Sequence, residues 1–501
     1  MIDTLVPGRI GGGICRGVLA VLAAIGCQVA PAGADTAPAA LAPDRDPAAA
    51  LANARAALGF ARAGQSVIHY RAQTASEQNY QSDRSYPPFF SAMTVKEAWF
   101  DPTSGVERAS LQATYPGSVA PPQVTACDGG RGFALSKGDP KPLPFASVRA
   151  RYLNPWAVIA DWSAATDVRT GGRELYRDYK RLVLLRATPE GEQRLLLDAK
   201  TGFPVKLAFI ENHYLWGQRQ IEYVYSNWTA AGGILVAASS FRIADGKPET
   251  SQTIGQVELI ARAAAPALTL PADPARSPDS LPGFLLPLDL TTTQVGPHTY
   301  LLSNPGYTEA VTRIGDEVIV FDATQGEARA RKDADAIARL FPGAREVTVV
   351  ITDLAWPHIA GVRYWVASGA TIVTHTAARE FLRSVIDRRW TAAPDLLEQR
   401  RRTGKPVHPR LVGIDATYRL AGGAVSLHPI DGIGTETALL GYIVADRFLW
   451  ASDYIQTVSE PTAYAAEVVQ AVRRDGLTPE RAAAEHLPLT PWSQLEPLAR
   501  L

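Results

Sequence analysis

The chain has 501 residues, long enough for two or three domains that each bury a core. Fifty Lys and Arg balance fifty Asp and Glu, so no net field draws in nucleic acid or an anionic membrane surface, and a hydrophobic content of 46% is ordinary for a globular protein. A small-molecule or lipid-like ligand is the expected partner.

At the start, Arg9 and Arg16 precede an apolar run at 18–26, and small residues follow at Ala32, Gly33 and Ala34. This is the layout of a secretory signal peptide over 1–34, which predicts export, to the periplasm, and a mature chain with no transmembrane segment. Cys27 offers a lipoprotein cleavage reading, against which stands Ala24 where Leu is usual three residues earlier. Cys15 and Cys27 leave with the signal, so the mature chain keeps Cys127 alone. That excludes an intrachain disulfide and a cysteine zinc cluster.

Residues 35–44 read as an Ala/Pro/Asp-rich leader, and 47–62 as an Ala-rich helix stopping near Gly64. Alternating segments then predict strands at 66–73, 96–100, 109–115, 132–135, 181–186, 193–197, 205–210, 220–225 and 233–241. Turn signals such as Asp101-Pro102-Thr103-Ser104-Gly105 and Asp198-Ala199-Lys200-Thr201-Gly202 divide them. An antiparallel sheet curled over one helix is expected for 35–262. His69 and His213 stand apart from any cluster and read as structural. Six prolines between Pro266 and Pro287 place a linker at 263–287.

From 288 onward, strands are expected at 299–303, 310–314 and 317–322, the last two joined by Gly315-Asp316. An amphipathic helix follows at 327–341 and stops at Pro342-Gly343. A strand at 347–352, a polar loop, a helical stretch after Gly361, a strand at 370–374 and a helix at 376–388 complete an α+β pattern with paired sheets.

Two resemblances emerge from particular stretches. The runs L-L-L-D-A-K-T-G-F-P-V-K-L at 195–207 and I-E-Y-V-Y-S-N-W at 221–228 resemble the hairpins of periplasmic lipoprotein carriers, which implies an open half-barrel closed by a helix and holding an apolar ligand. From 291 to the C-terminus the chain resembles the metallo-β-lactamase-fold hydrolases. The points of likeness are F-D-A at 321–323, H-I-A-G at 358–361, G-A-T-I-V-T-H at 369–375, S-D-Y at 452–454 and H-L-P-L-T-P-W at 486–492. That resemblance implies an αββα sandwich and a site of two divalent metals.

Laid on the family's T-H-x-H-x-D-H-x-x-G pattern, the two leading histidines become Asp353 and Ala355, the aspartate becomes Pro357, and the last histidine stays as His358. Gly434 falls where a further histidine is usual. One metal has therefore lost its ligands, since Ala and Gly side chains cannot coordinate. The other retains His358, Asp453 and His486, a set that suits one zinc or iron ion, with Asp353 placed to join it. Asp453 and Asp353 are the expected catalytic carboxylates. Two functions follow: an exported hydrolase with at most one metal acting on an ester or lactone, or an inactive binding or scaffold protein holding an apolar ligand. His375 and His428 read as structural, Glu436 as a solvated carboxylate, and Trp356 and Trp492 as walls of the cleft.

Overall fold

The computed structural model describes residues 46–77, 91–115, 118–135, 139–143, 145–188, 191–272, 289–405, 407–432, 435–458 and 462–499. The stretches expected to be a signal peptide with its two cysteines and a leader, most of the expected linker, and Gly434 lie outside them. Among the described residues no helix is long and apolar enough to cross a membrane.

The first half is one large antiparallel sheet with helices packed on one face. Asp46 accepts from the amides of Ala48 and Ala49 and, with Pro47 in the first turn, starts the helix Pro47–Ala57. The single helix expected at 47–62 is broken at Gly59, whose φ of 82° no side-chain-bearing residue adopts cheaply, and a short second helix, Phe60–Ala63, follows. The strand Ser66–Glu77 pairs with Ser91–Phe100 on one side and with Lys247–Ala261 on the other, in a register that sets Ser66 opposite Ala261.

A helix absent from the sequence reading, Pro155–Ala164, lies at the centre of this half. Asn154 caps it by accepting from the amide of Trp156. Leu58, Ile68, Phe100, Leu195, Leu207, Ile221 and Tyr223 surround it, and Trp156 and Trp162 are almost wholly buried there. The indole of Trp156 packs edge-on against Tyr70 and donates to the Leu235 carbonyl at 2.8 Å. Truncation of a side chain so enclosed leaves a cavity and an unpaired carbonyl. Trp156→Ala is expected to cost about 3–5 kcal/mol, read as a lower urea midpoint at unchanged slope.

In the second half, seven strands run in the spatial order Thr291–Gly296, Thr299–Asn304, Tyr307–Ile314, Glu317–Phe321, Glu346–Val350, Thr371–His375 and Arg410–Ile414. The first four pair antiparallel and the remainder parallel. A second sheet holds Tyr418–Leu420, Val425–Pro429, Leu439–Ile443, Phe448–Trp450, Arg481–Ala483 and Thr490–Pro491. Ile319, Phe321, Val350, Val373, Val425, Leu439 and Trp450 form one core shared by the two sheets. Residues of Glu327–Leu340, Val362–Ala367 and Arg379–Asp387 build a core with the first sheet, and Ala463–Arg474 and Trp492–Leu495 build one with the second. Strands covered on both faces explain why 317–321 and 346–350 read as nearly unbroken apolar runs rather than alternating ones.

The two halves meet at the turn between the strands Pro204–His213 and Gly217–Ala231. Tyr214 and Leu215 leave the first sheet and enter the helix-side core of the second half. Arg388 donates to the carbonyls of Trp216 and Gln218 at 2.9 and 2.6 Å. Gly217, at φ 64°, brings the backbone so near the Trp390 indole that a Cβ would stand 2.7 Å from the ring. Residues 41–501 form one compact unit.

Candidate metal centre

Four strands of the second half end at one place, and each delivers an acid or histidine there. Asp322 follows Glu317–Phe321, Asp353 follows Glu346–Val350, Asp453 follows Phe448–Trp450, and Glu485 and His486 follow Arg481–Ala483. Parallel neighbours with a common strand end make such convergence automatic, and ligand sites gather there in open α/β sheets.

His358 is at the centre, only 2% exposed. Its Nδ1 lies 3.0 Å from both carboxylate oxygens of Asp353, and its Nε2 lies 2.7 Å from Glu485. Asp353 is itself fixed by the amide of Ala355 at 2.7 Å and the hydroxyl of Ser452 at 3.1 Å. Asp322 sits deeper, accepting from the amide and hydroxyl of Thr352 at 2.7 and 2.6 Å and from the Trp450 indole at 2.8 Å. These two acids have their oxygens occupied by donors.

Glu485 differs. It is fully buried, with no backbone or hydroxyl donor on it and Nε2 of His358 2.7 Å from one oxygen. His486 uses Nδ1 to donate to the Gly306 carbonyl at 2.6 Å, which leaves the Nε2 lone pair facing Oδ1 of Asp453 at 3.5 Å. Donor atoms of His358, Glu485 and His486 all lie within 4.8 Å of one another. Two imidazoles and a buried carboxylate this close can exchange the His358 proton for a cation. The residues therefore fit one divalent metal, with the Gly306 carbonyl orienting His486 and Asp353 orienting His358.

Electrostatics agree. Burial pushes Glu485 well above the usual carboxylate range and Asp453 up to about 7, against the pull of His358. Burial and the Asp353 carboxylate raise Asp322 to about 7. Burial alone lowers the His358 imidazole, but Asp353, Glu485 and Asp453 outweigh it and hold that ring well above its ordinary 6.5. His486 is lowered by burial and by His358, so its ring is neutral and ready to coordinate. Groups with raised pKa values stabilise the metal-free fold at low pH and lose that contribution as pH climbs through the raised values. Metal-free protein is thus expected to lose stability from about pH 5 to about pH 8, while zinc, which displaces the His358 proton, binds more tightly across the same rise. A melting series with and without zinc checks this. A zinc-induced shift that shrinks with rising pH would contradict it.

Among the residues expected from the sequence, His358, Asp453 and His486 come together, while Asp353 takes the far nitrogen of His358. Glu485 went unnoticed beside His486; the adjacent Glu-His pair was the available signal. Trp356 packs against the turn from the first half rather than lining an open cleft, and Trp492 joins the core behind the second sheet. His428 is held by Asp475 and Ser426, His375 accepts from the Ala377 amide, and Glu436 is exposed. Cys127 is buried and free, its thiol pushed up to about 12 mainly by that burial.

No protein-family model matches the chain, and no curated protein matches it. Among solved structures it is similar to the DIM-1 metallo-β-lactamase at 11% identity, over 43% of this chain and 97% of that one, with a TM-score of 0.34. A metallo-β-lactamase from Pontibacter korlensis gives 12% identity, 42% and 98% coverage, and a TM-score of 0.33.

Proposed function

We propose that this chain is an exported hydrolase of the metallo-β-lactamase kind working with one metal, zinc or iron, on a small ester or lactone. The observation that carries the reading is Glu485, a buried carboxylate whose oxygen lies within 4.8 Å of a ring nitrogen of both His358 and His486. These three are the proposed ligands, and a bound divalent ion supplies Lewis acidity toward a carbonyl oxygen. Asp453, pushed up to about 7 by burial, is placed to take a proton from an attacking water. Water then adds to the carbonyl carbon, the acyl C–O bond breaks, and the proton on Asp453 passes to the departing oxygen. Tyr307, whose ring centroid is 5.1 Å from that of His486, walls a cavity of about 590 Å³ that reaches Glu485 and His486.

Elemental mass spectrometry on the mature chain tests the reading. About one zinc or iron per chain, lost in an Asp453→Ala/His486→Ala double variant, supports it. No metal after incubation with excess zinc ends it. The two displaced ligand positions, Ala355 and Pro357, also predict no turnover of nitrocefin or a carbapenem; turnover abolished by His358→Ala would refute that.

A second reading, a binding protein, is favoured by a cavity of about 960 Å³ in the first half. Leu51, Val168 and Tyr152 line it together with Arg55, Arg186 and Asp128, a mixture suited to a lipid-like ligand with a polar head.

A further inference from the structure

Of the loop positions 355–358, His358 alone can coordinate, because Ala355 and Pro357 cannot and Asp353 is engaged on the far nitrogen of His358. Where several ligands sit on one loop, the metal itself helps to hold the loop's shape. Here other contacts must do so, and some of them come from the first half of the chain. Trp356, next to the ligand by two residues, meets the rings of His213 and Trp216 edge-on, with centroids 5.2 and 5.6 Å away. The Arg219 guanidinium lies 5.8 Å from the Trp356 ring. The turn that presents these groups is itself braced. His213 Nδ1 accepts from the amides of Leu215 and Trp216, Leu215 is wholly buried among the helices of the second half, and Arg388 clasps two of the turn's carbonyls. On the loop's other side, the amides of Ala323 and Gln325 donate to the carbonyls of His358 and Pro357 at 3.0 and 2.7 Å.

We infer that the 213–217 turn is a positioning element for the metal centre: by clamping Trp356 it sets where His358 stands, in place of the loop ligands this chain lacks. His213 and Trp216 are positioning residues and touch neither metal nor substrate. The two halves then form one functional unit, and binding is linked in both directions. A loosened turn weakens the metal, and a bound metal quiets the turn. This rests on the one-metal reading above, so the test has an arm that does not need metal.

The experiment uses the full mature chain with Trp216→Ala, Trp216→Phe and Arg388→Gln, the last loosening the dock from the surface should the first unfold. Amide hydrogen exchange at Ala355 and His358 is measured without metal, and zinc affinity by competition with a chelator. Trp216→Ala is expected to speed loop exchange about 10-fold or more and to weaken zinc about 10- to 100-fold, the range for losing a supporting partner. Trp216→Phe, which keeps an aromatic ring on Trp356, restores both to within about 3-fold. Arg388→Gln moves both in the same direction. Zinc added to the native chain slows exchange at Leu215 and Trp216. Folded Trp216→Ala and Arg388→Gln proteins with native loop exchange would overturn the inference. Faster loop exchange in a native-folding variant, from a chain that binds no zinc, would uphold the clamp and refute the metal reading alone.

Discussion

Glu485→Gln is expected to abolish high-affinity zinc binding while leaving the chain folded. An amide keeps the shape of the side chain and loses the charge and one of its two acceptor atoms. It also stands 2.7 Å from His358, the distance at which the carboxylate now holds that ring. Loss of an outer partner costs roughly 10- to 100-fold in affinity, and loss of a ligand should exceed that. Asp353→Asn supplies the internal comparison. Its partner is Nδ1 of His358, the nitrogen turned away from Glu485, so a roughly 10- to 100-fold weakening is expected. A chelator competition on both variants ranks them. Equal losses would mean that Asp353 is itself a ligand; an unaffected Glu485→Gln protein would remove Glu485 from the centre.

Arg329→Met should be among the most destabilising single changes in the second half. The guanidinium is fully buried; it pairs with Asp333 at 2.9 and 3.1 Å and also donates to Asn304, Gln325 and the Leu302 carbonyl. Burial and the hydrogen-bonded neighbour Glu309 push Asp333 well above the carboxylate range even with Arg329 present. Removing the cation strands two buried acids, and breaking such a pair costs about 3–5 kcal/mol. The sign with pH is fixed: both acids are then neutral in the fold, and the unfolded chain gains by ionising them. The loss in urea-derived stability is accordingly larger near about pH 7 than near about pH 5. A pH-independent loss would mean that packing of the arginine stem, not its charge, is what matters.

Legibility followed the physics of each element. The strands 299–314 and 317–321 could be read because Gly315 adopts φ 64° in a two-residue turn, and the helix Glu327–Leu340 because Pro342-Gly343 ends it. Pro155–Ala164 could not be read by period, being buried around most of its circumference, Asp161 included; only Asn154-Pro155 announced its start. Lys247–Ala261 was hidden by Pro248 and by polar residues on much of its length, although it pairs on both edges. At the metal centre, three of the four side chains now assembled were visible through the motif resemblance that marks them. Glu485 was not, because its importance lies in its burial against His358, a property of the surroundings rather than of the residue.

The register that sets Ser66 against Ala261 has a kinetic consequence. The first long strand finds one of its two partners only after almost two hundred further residues exist, so the first sheet cannot close before the chain has been made to about residue 261. Strands 291–321, by contrast, pair with near neighbours in sequence and can form at once. Long-range pairing is slow because loop closure must precede any gain from contact. Closure of the first sheet is therefore a slow step, and Trp356 can meet the turn at 213–217 only after every strand of that sheet has been made. The metal centre would then mature last, as a report that the whole chain has folded.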